Sequence, residues 1–350
     1  MKALVVGWFS FKDCNVTAGD VMARDLVCEW LHQGGYIYDV ALIPPFKGGV
    51  DWQTANPKDY SHVIFVCGPF PLDQNTAKFL KRFNGSRLVG VDLSMIEHID
   101  RWNPFDVLIE RDSASGAHPD VTFLSQQTKV PIVGIILVHP QQEYGSRGKH
   151  SIANQAIERL VASKEMVAVH IDTGLDPNTT NLRSAAEIES LIARMDLVVT
   201  TRLHGTVLAL KNGVPAIAID AIAGGAKVLR QTETIGWTTV FSIDNLSDEQ
   251  LHQAFEYCLT EEAREKAREC RDRATQTLKQ VQEQFLLALD APNLLNARVS
   301  SPEIQKKYEF FASYKPSLWE QVITLRYRVT GHIRRWLFKK LFRAEIHNVL

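Results

Sequence analysis

DLVVTTRLHGTVLALKNGVPAIAID, residues 196–220, packs a strand, a turn, a helix and a second strand into one short run. Leu197, Val198 and Val199 form an apolar run without alternation, the mark of a strand buried on both faces. The polar turn Thr200-Thr201-Arg202 ends it, and a helix over His204–Lys211 follows at once. Gly213 stops that helix, and Ala216–Ile219 reads as the next strand. Strand, helix and strand joined by short connections are the repeating unit of an open parallel sheet. The strand-to-helix turn points backbone N–H groups outward at the carboxyl edge of such a sheet, where these folds bind ligands, anions above all.

The same alternation extends in both directions. Toward the amino end lie a buried strand over Pro131–Val138, a helix over Ser151–Ala162, a strand over Met166–Ile171 and an amphipathic helix over Ser184–Arg194. Beyond Gly224-Gly225 a helix is expected over Lys227–Gln231. The first part of the chain repeats the alternation without repeating the sequence. Strands are expected at Ala3–Val6, Tyr36–Leu42, His62–Cys67, Arg87–Val91 and Val107–Ile109, and a helix from Gly19-Asp20 to His32. Gly68-Pro69 reads as a turn, and Asp92–Asn103 as a loop or helix. Residues 246–289 read as helical. Ala263, Ala267, Cys270, Ala274, Leu278, Val281 and Phe285 make one apolar stripe, expected to lie across the lobes. The fold class is therefore α/β, with two parallel-sheet lobes over residues 1–127 and 128–290 and a linker and tail over residues 291–350.

With 350 residues, 45% of them hydrophobic and 23% charged, the chain suits two ordinary globular cores. Its five cysteines are irregularly spaced and form no CxxC, which disfavours disulfides and zinc and fits the reducing cytoplasm. MKALVVGWF reads as a first strand rather than a signal peptide, and no apolar run is long enough to span a bilayer. The formal charge is −1, yet seven Lys/Arg and no acids lie between Arg326 and Arg343, which leaves −8 for the rest. A body of that sign excludes nucleic acid as the expected partner. The tail over residues 318–343 interleaves large apolar and basic residues. It fits peripheral contact with the inner face of a membrane, or packing on the body or on a second copy in a homo-oligomer.

Arg202 offers a permanent cation with a fork matched to phosphate or carboxylate. His204 adds a group that gives or takes a proton near neutral pH. Gly205 starts the same helix and completes this candidate binding turn. A simple helix cap or acid pair explains Arg202 and His204 equally well on spacing alone. Lys227 opens a helix against the sense of its dipole, for which a bound anion is a natural compensation. Arg111 follows a strand and adjoins Asp112, so a surface ion pair competes with a binding role. Asp20 reads first as an N-cap and second as a base. Asp220, at a strand end, reads as a loop-ordering carboxylate or as a partner of Lys227 or of a sugar hydroxyl. His139, Glu143 and Arg147 occupy the loop after the first strand of the second lobe. No metal-ligand spacing is present, so no metal and no cofactor are expected.

Arg202-Leu203-His204, Gly213-Val214-Pro215 and Asp220, preceded by a helix and Asp196, resemble the polysaccharide pyruvyl transferase family. Gly19-Asp20, Arg111-Asp112-Ser113 and Lys227 follow the family's order more weakly. The resemblance implies two Rossmann-like lobes of GT-B type, phosphoenolpyruvate as co-substrate and a saccharide acceptor. It implies a pyruvate ketal as product, in exopolysaccharide or glycan-precursor biosynthesis. It further implies Arg202, Lys227 and Arg111 as cations for the donor, His204 as general acid or phosphate ligand, and Asp20 on the acceptor side. The chain departs from the family at Thr17-Ala18-Gly19-Asp20, where members often carry Asn-X-Gly-Asp. It departs again at Cys67-Gly68-Pro69, where many carry a Gly-rich turn. A GT-B glycosyltransferase using a nucleotide-sugar and a non-catalytic sugar-phosphate binding protein are the alternatives.

Overall fold

The computed structural model describes residues 2–12, 14–113, 116–139, 141–176, 178–290 and residue 306. The basic tail expected over residues 318–343 lies outside them. The chain divides into two compact units, Met1–Lys129 and Val130–Leu350.

The first unit runs β1 (Lys2–Val6), α1 (Ala18–Gln33), β2 (Ile37–Val40), β3 (His62–Phe70), α2 (Gln74–Arg82), β4 (Arg87–Met95) and β5 (Val107–Glu110). A small antiparallel pair follows, β6 (Asp112–Ser113) and β7 (Gly116–Ala117). The main sheet is wholly parallel in the order β2-β1-β3-β4-β5. Both faces are covered, and the period-two alternation of a strand divides its side chains between them. Leu4, Val6, Val63 and Phe65 enter an aromatic-rich core with Phe70, Phe79 and Trp52. Ala3, Val5, Ile64 and Val66 pack on the other face with Ala23 and Val27 of α1.

Two expectations for this unit are corrected. Gly68-Pro69 is not a turn, because β3 continues to Phe70. Asp92 does not open a loop or helix, because β4 continues to Met95. Cys67 and Asp92 both take left-handed backbone, with φ of 64° and 58°, and pairing resumes beyond them at Gly68–Leu93 and Pro69–Ser94. The β3–β4 register runs unbroken through them, and the one register shift is in the pairing of β4 with β5, between Val91 and Leu93, where a bulge re-aims side chains without ending the strand.

The second unit runs β8 (Ile132–Ile136), α3 (His150–Ser163), β9 (Val167–His170), α4 (Ala185–Ile192), β10 (Leu197–Thr200), α5 (Leu203–Lys211), β11 (Ala216–Asp220), α6 (Lys227–Ile235), β12 (Val240–Ser242), α7 (Asp248–Cys258) and α8 (Glu261–Asp290). Its parallel sheet has the order β12-β11-β10-β8-β9. Counted from its own first strand this is 2-1-3-4-5 read backwards, the order of the first unit. Val133, Ile135, Leu197, Val199, Ile217 and Ile219 face one core, and Ile136, Val198 and Ala216 face the other. Trp237, 2% exposed, closes the first of these and donates its Nε1–H to the Ala216 carbonyl at 2.7 Å. Asp196 ties the layers together: one carboxylate oxygen accepts from the Ile132 N–H at 2.8 Å and the other pairs with Arg264 at 2.9 Å.

The helical stretch after Leu246 is two helices, parted at Leu259-Thr260. Its stripe does not pack along its whole length. Ala263, Ala267 and Cys270 are buried in the second unit's core, whereas Leu278, Val281 and Phe285 are 60%, 51% and 61% exposed. Small residues let α8 approach that core closely, and the bulky ones begin where the core ends.

Candidate functional site

In a sheet of this order the first strand has neighbours whose connections leave on opposite faces, and a crevice opens there at the carboxyl ends. In the second unit that point lies between β8 and β10. A cavity of about 470 Å³ occupies it, lined by Val138 and His139 after β8, Thr201–His204 after β10, Asp220 at the end of β11 with Ala221 and Ile222 beyond it, and Lys227 on α6. Gln141, Glu143, His150, Thr173 and Gly174 complete most of the wall. Every lining residue belongs to the second unit.

Three helices begin at this wall, α3 at His150, α5 at Leu203 and α6 at Lys227. None has a side-chain cap on its N-cap residue. By contrast α1, α2, α4 and α7 start on Thr17, Asp73, Ser184 and Ser247, each accepting a hydrogen bond from its own first turn. At α3 and α5, starts left without such caps present N–H groups and positive dipole ends, a combination that suits an anion, whereas the Asp220 carboxylate takes the Ala226 and Leu229 N–H groups at the start of α6.

Gly205 holds α5 against the sheet. A Cβ there would fall 2.3 Å from Thr200 Oγ1 and 3.0 Å from Ile136 Cγ2. Gly205 is buried and is not part of the cavity wall, so its contribution is to place its neighbours rather than to meet a ligand. Those neighbours are Arg202 and His204. Arg202 is about one-fifth exposed, and its Nη1 donates to Asp172 Oδ1 at 3.1 Å and to Thr173 Oγ1 at 2.9 Å. Nε and Nη2 are left without a hydrogen bond among the described residues. The His204 imidazole and the Lys227 ammonium likewise have no hydrogen-bond or ion-pair partner there.

Asp172, which the sequence reading missed, anchors this wall. It is 5% exposed and accepts from Gly174 N at 2.8 Å, Thr179 N and Thr179 Oγ1 at 3.0 Å each, and Arg202. His139 Nε2 lies 3.2 Å from its Oδ2. Burial works to raise this carboxyl, but the hydrogen bonds from Gly174, Thr179 and His139 outweigh it and hold it down at about 2. The residue sits in a polar loop after β9 with no motif around it. Only the folded chain shows that it underlies Arg202.

Asp220 is 1% exposed and orders its loop. Its carboxylate accepts from Ile222 N at 3.2 Å, Ala226 N at 2.8 Å and Leu229 N at 3.1 Å, so it caps α6 from a distance and sets Lys227 at the wall. His150 is also new to the site. It is 8% exposed at the start of α3, and burial depresses its titration and favours the neutral ring.

The remaining candidates belong to the first unit. Asp20 closes the capping box of α1, accepting from Thr17 N at 2.8 Å and Thr17 Oγ1 at 2.7 Å. Arg111 is heavily engaged. Its Nε meets Asp112 at 3.3 Å, Nη2 meets Ser94 at 2.8 Å, and Nη1 lies 2.9 Å from Asp120, 3.8 Å from Asp92 and 3.8 Å from Cys67 Sγ. Cys67, Asp92 and Asp120 present ligand-type atoms within 4.8 Å of one another, but Nη1 of Arg111 already sits among them as the cation. Burial pushes the Cys67 thiol up to about 12, and burial together with Asp120 raises Asp92.

The family model of polysaccharide pyruvyl transferase matches residues 119–221, less than a third of the chain. That segment carries His139, Asp172, Arg202, His204 and Asp220, and stops before Lys227. No curated protein matches the chain. Among solved structures, the UDP-GlcNAc 2-epimerase of Methanocaldococcus jannaschii aligns at 11% identity with a TM-score of 0.29, covering 74% of this chain and 93% of that one. The spinosyn rhamnosyltransferase SpnG complexed with thymidine diphosphate aligns at 13% identity with a TM-score of 0.30, covering 79% and 96%. The spinosyn forosaminyltransferase SpnP aligns at 10% identity with a TM-score of 0.29, covering 78% and 94%.

Proposed function

We propose that the protein is a pyruvyl transferase that takes phosphoenolpyruvate as donor and a saccharide as acceptor. The observation that carries this reading is the cavity at the β8–β10 switch point. It joins two cations, Arg202 and Lys227, the unpartnered imidazole of His204 and three helix starts, within or beside the segment that the family model matches. Phosphoenolpyruvate bears a phosphate and a carboxylate, so two separated positive groups suit it better than one. Arg202 Nε and Nη2 and the Lys227 ammonium are the donors left for these anions, while Arg202 Nη1 is held by Asp172.

In this reading His204 gives a proton to the methylene carbon of the donor, which leaves an oxocarbenium-like centre at the neighbouring carbon. A sugar hydroxyl attacks that carbon. The C–O bond to phosphate then breaks, phosphate leaves with the electron pair, and a second hydroxyl closes the ketal. Of the two hydroxyl protons, one makes good the proton placed on carbon and the other leaves on phosphate. The product is suited to a glycan or its precursor in the cytoplasm.

A thermal-shift series tests the reading, with phosphoenolpyruvate, UDP-sugars and GDP-sugars offered to the wild type and to Arg202→Ala. Stabilisation by phosphoenolpyruvate at millimolar concentration, lost in the variant, is expected. A response confined to nucleotide-sugars would show a glycosyltransferase instead. Binding of sugar phosphates without phosphate release would show a non-catalytic binding protein.

A further inference from the structure

We infer that His139, oriented by Asp172, is the base that takes the proton from the attacking acceptor hydroxyl. The inference deepens the pyruvyl-transfer reading and rests on it. That reaction needs two proton-handling groups of opposite sense, since one proton goes onto carbon and another comes off oxygen. His204 suits the first task. The carboxylate expected for the second, Asp20, belongs to the first unit, where its Oδ2 accepts both Thr17 N and Thr17 Oγ1.

His139 has the features of an activating base. It lines the cavity with 53% of its side chain exposed, so a substrate hydroxyl can reach it. Its Nε2 lies 3.2 Å from Asp172 Oδ2. With the Asp172 carboxyl held at about 2, that oxygen is ionised at neutral pH and only accepts, so Nε2 must carry the hydrogen. The neutral ring therefore has its lone pair on Nδ1. A base whose second nitrogen is fixed by a buried carboxylate follows the same logic as a catalytic triad, in which a third group sets the tautomer and steadies the imidazolium that forms.

Asp172 also holds Arg202 Nη1, so one carboxylate sets the spacing between the group that grips the donor and the group that activates the acceptor. The charged and titratable groups sharing this wall are Glu143, His150, Arg202, His204, Asp220 and Lys227. None of these bonds His139; its partner is Asp172, which lies beneath the wall. In the proposed step the acceptor O–H bond breaks as the new C–O bond forms, and the proton passes to Nδ1. It leaves with the departing phosphate, which returns the ring to its neutral form.

The test combines three measurements on the full chain. Nitrogen-15 spectra of histidine-labelled protein report the His139 tautomer in the absence of any ligand. Calorimetry gives the Kd for phosphoenolpyruvate. Phosphate release from phosphoenolpyruvate, with water or methyl glycosides as nucleophile, gives turnover. The wild type is expected to show the Nε2–H tautomer, and Asp172→Asn to lose it. His139→Gln is expected to slow phosphate release by about a hundredfold or more while Kd changes less than about twofold. It replaces a half-exposed side chain and is expected to fold even where Asp172→Asn does not. An Nδ1–H tautomer in the wild type overturns the inference. So does an unchanged rate in His139→Gln, or a Kd weakened in step with the rate. A wild type that neither binds nor consumes phosphoenolpyruvate, with His139 in the Nε2–H tautomer, overturns the pyruvyl reading while supporting the Asp172–His139 pair.

Discussion

Replacing Asp172 by Asn removes a charge and no heavy-atom volume, so its effect isolates the hydrogen-bond network under Arg202. Oδ1 of the carboxylate accepts from Gly174 N and Arg202 Nη1, and Oδ2 from Thr179 N, Thr179 Oγ1 and His139 Nε2. An amide can offer an oxygen to only one of these sets. Its NH₂ must then face at least two donors, of which only the Thr179 hydroxyl, by turning, and the His139 ring, by changing tautomer, can accept. Hydrogen bonds to a charged group contribute about 1.5–3 kcal/mol each, and a donor left buried costs a similar amount. Linkage gives an independent figure. A carboxyl shifted from its ordinary 3.8 to about 2 stabilises the folded state at neutral pH by about 2.5 kcal/mol. The substitution is therefore expected to cost about 2.5–4 kcal/mol, roughly 5–15 °C in the Tm of the second unit.

The pH dependence fixes the sign. A carboxyl whose folded value lies below its unfolded value contributes its stability above the unfolded value and loses it as pH falls through the folded one. The gap between wild type and Asp172→Asn should thus be full at pH 6–7 and shrink between about pH 4 and pH 2. Urea melts across that range, read by fluorescence, measure it. A difference below about 0.5 kcal/mol at pH 7, or one that does not narrow in acid, would refute the network as described.

Three further outcomes are expected. Gly205→Ala must push α5 off β10 or displace Thr200, and should lower stability by about 1–3 kcal/mol in thermal melts; an unchanged Tm would show that the helix has room to move. His204→Gln should reduce phosphate release from phosphoenolpyruvate by more than about 10⁴-fold if one ring both donates the proton and binds phosphate, and near-normal turnover removes it from the mechanism. Asp92→Asn should raise the Tm at pH 7 by a few degrees. Burial and Asp120 disfavour the ionised Asp92 carboxyl, and Asn tolerates the left-handed backbone at that position. That gain should vanish below the ordinary carboxyl range, where the wild-type group is protonated too. A gain that persists in acid would assign the effect to packing instead.

Both sheets were legible in the sequence because parallel strands buried on two faces are written as unbroken apolar runs, and Leu197–Val199 is the plainest of them. The turn at Arg202–His204 was legible too, because a strand ending in a helix start leaves few places for a cation and an imidazole. The passage of both strands through left-handed backbone at Cys67 and Asp92 was not. Gly68-Pro69 has the local chemistry of a turn, and only pairing with β4 carries the strand through it. The end of the packed stripe on α8 was hidden for a related reason: periodicity shows which residues share a face, not where the core beneath them stops. Asp172, Thr173 and His150 stand far from Arg202 in the chain and carry no motif. Tertiary structure alone decides that a loop after β9 supplies the carboxylate that holds Arg202 and His139, because hydrogen-bond partners are chosen by proximity in space and local sequence does not encode that distance.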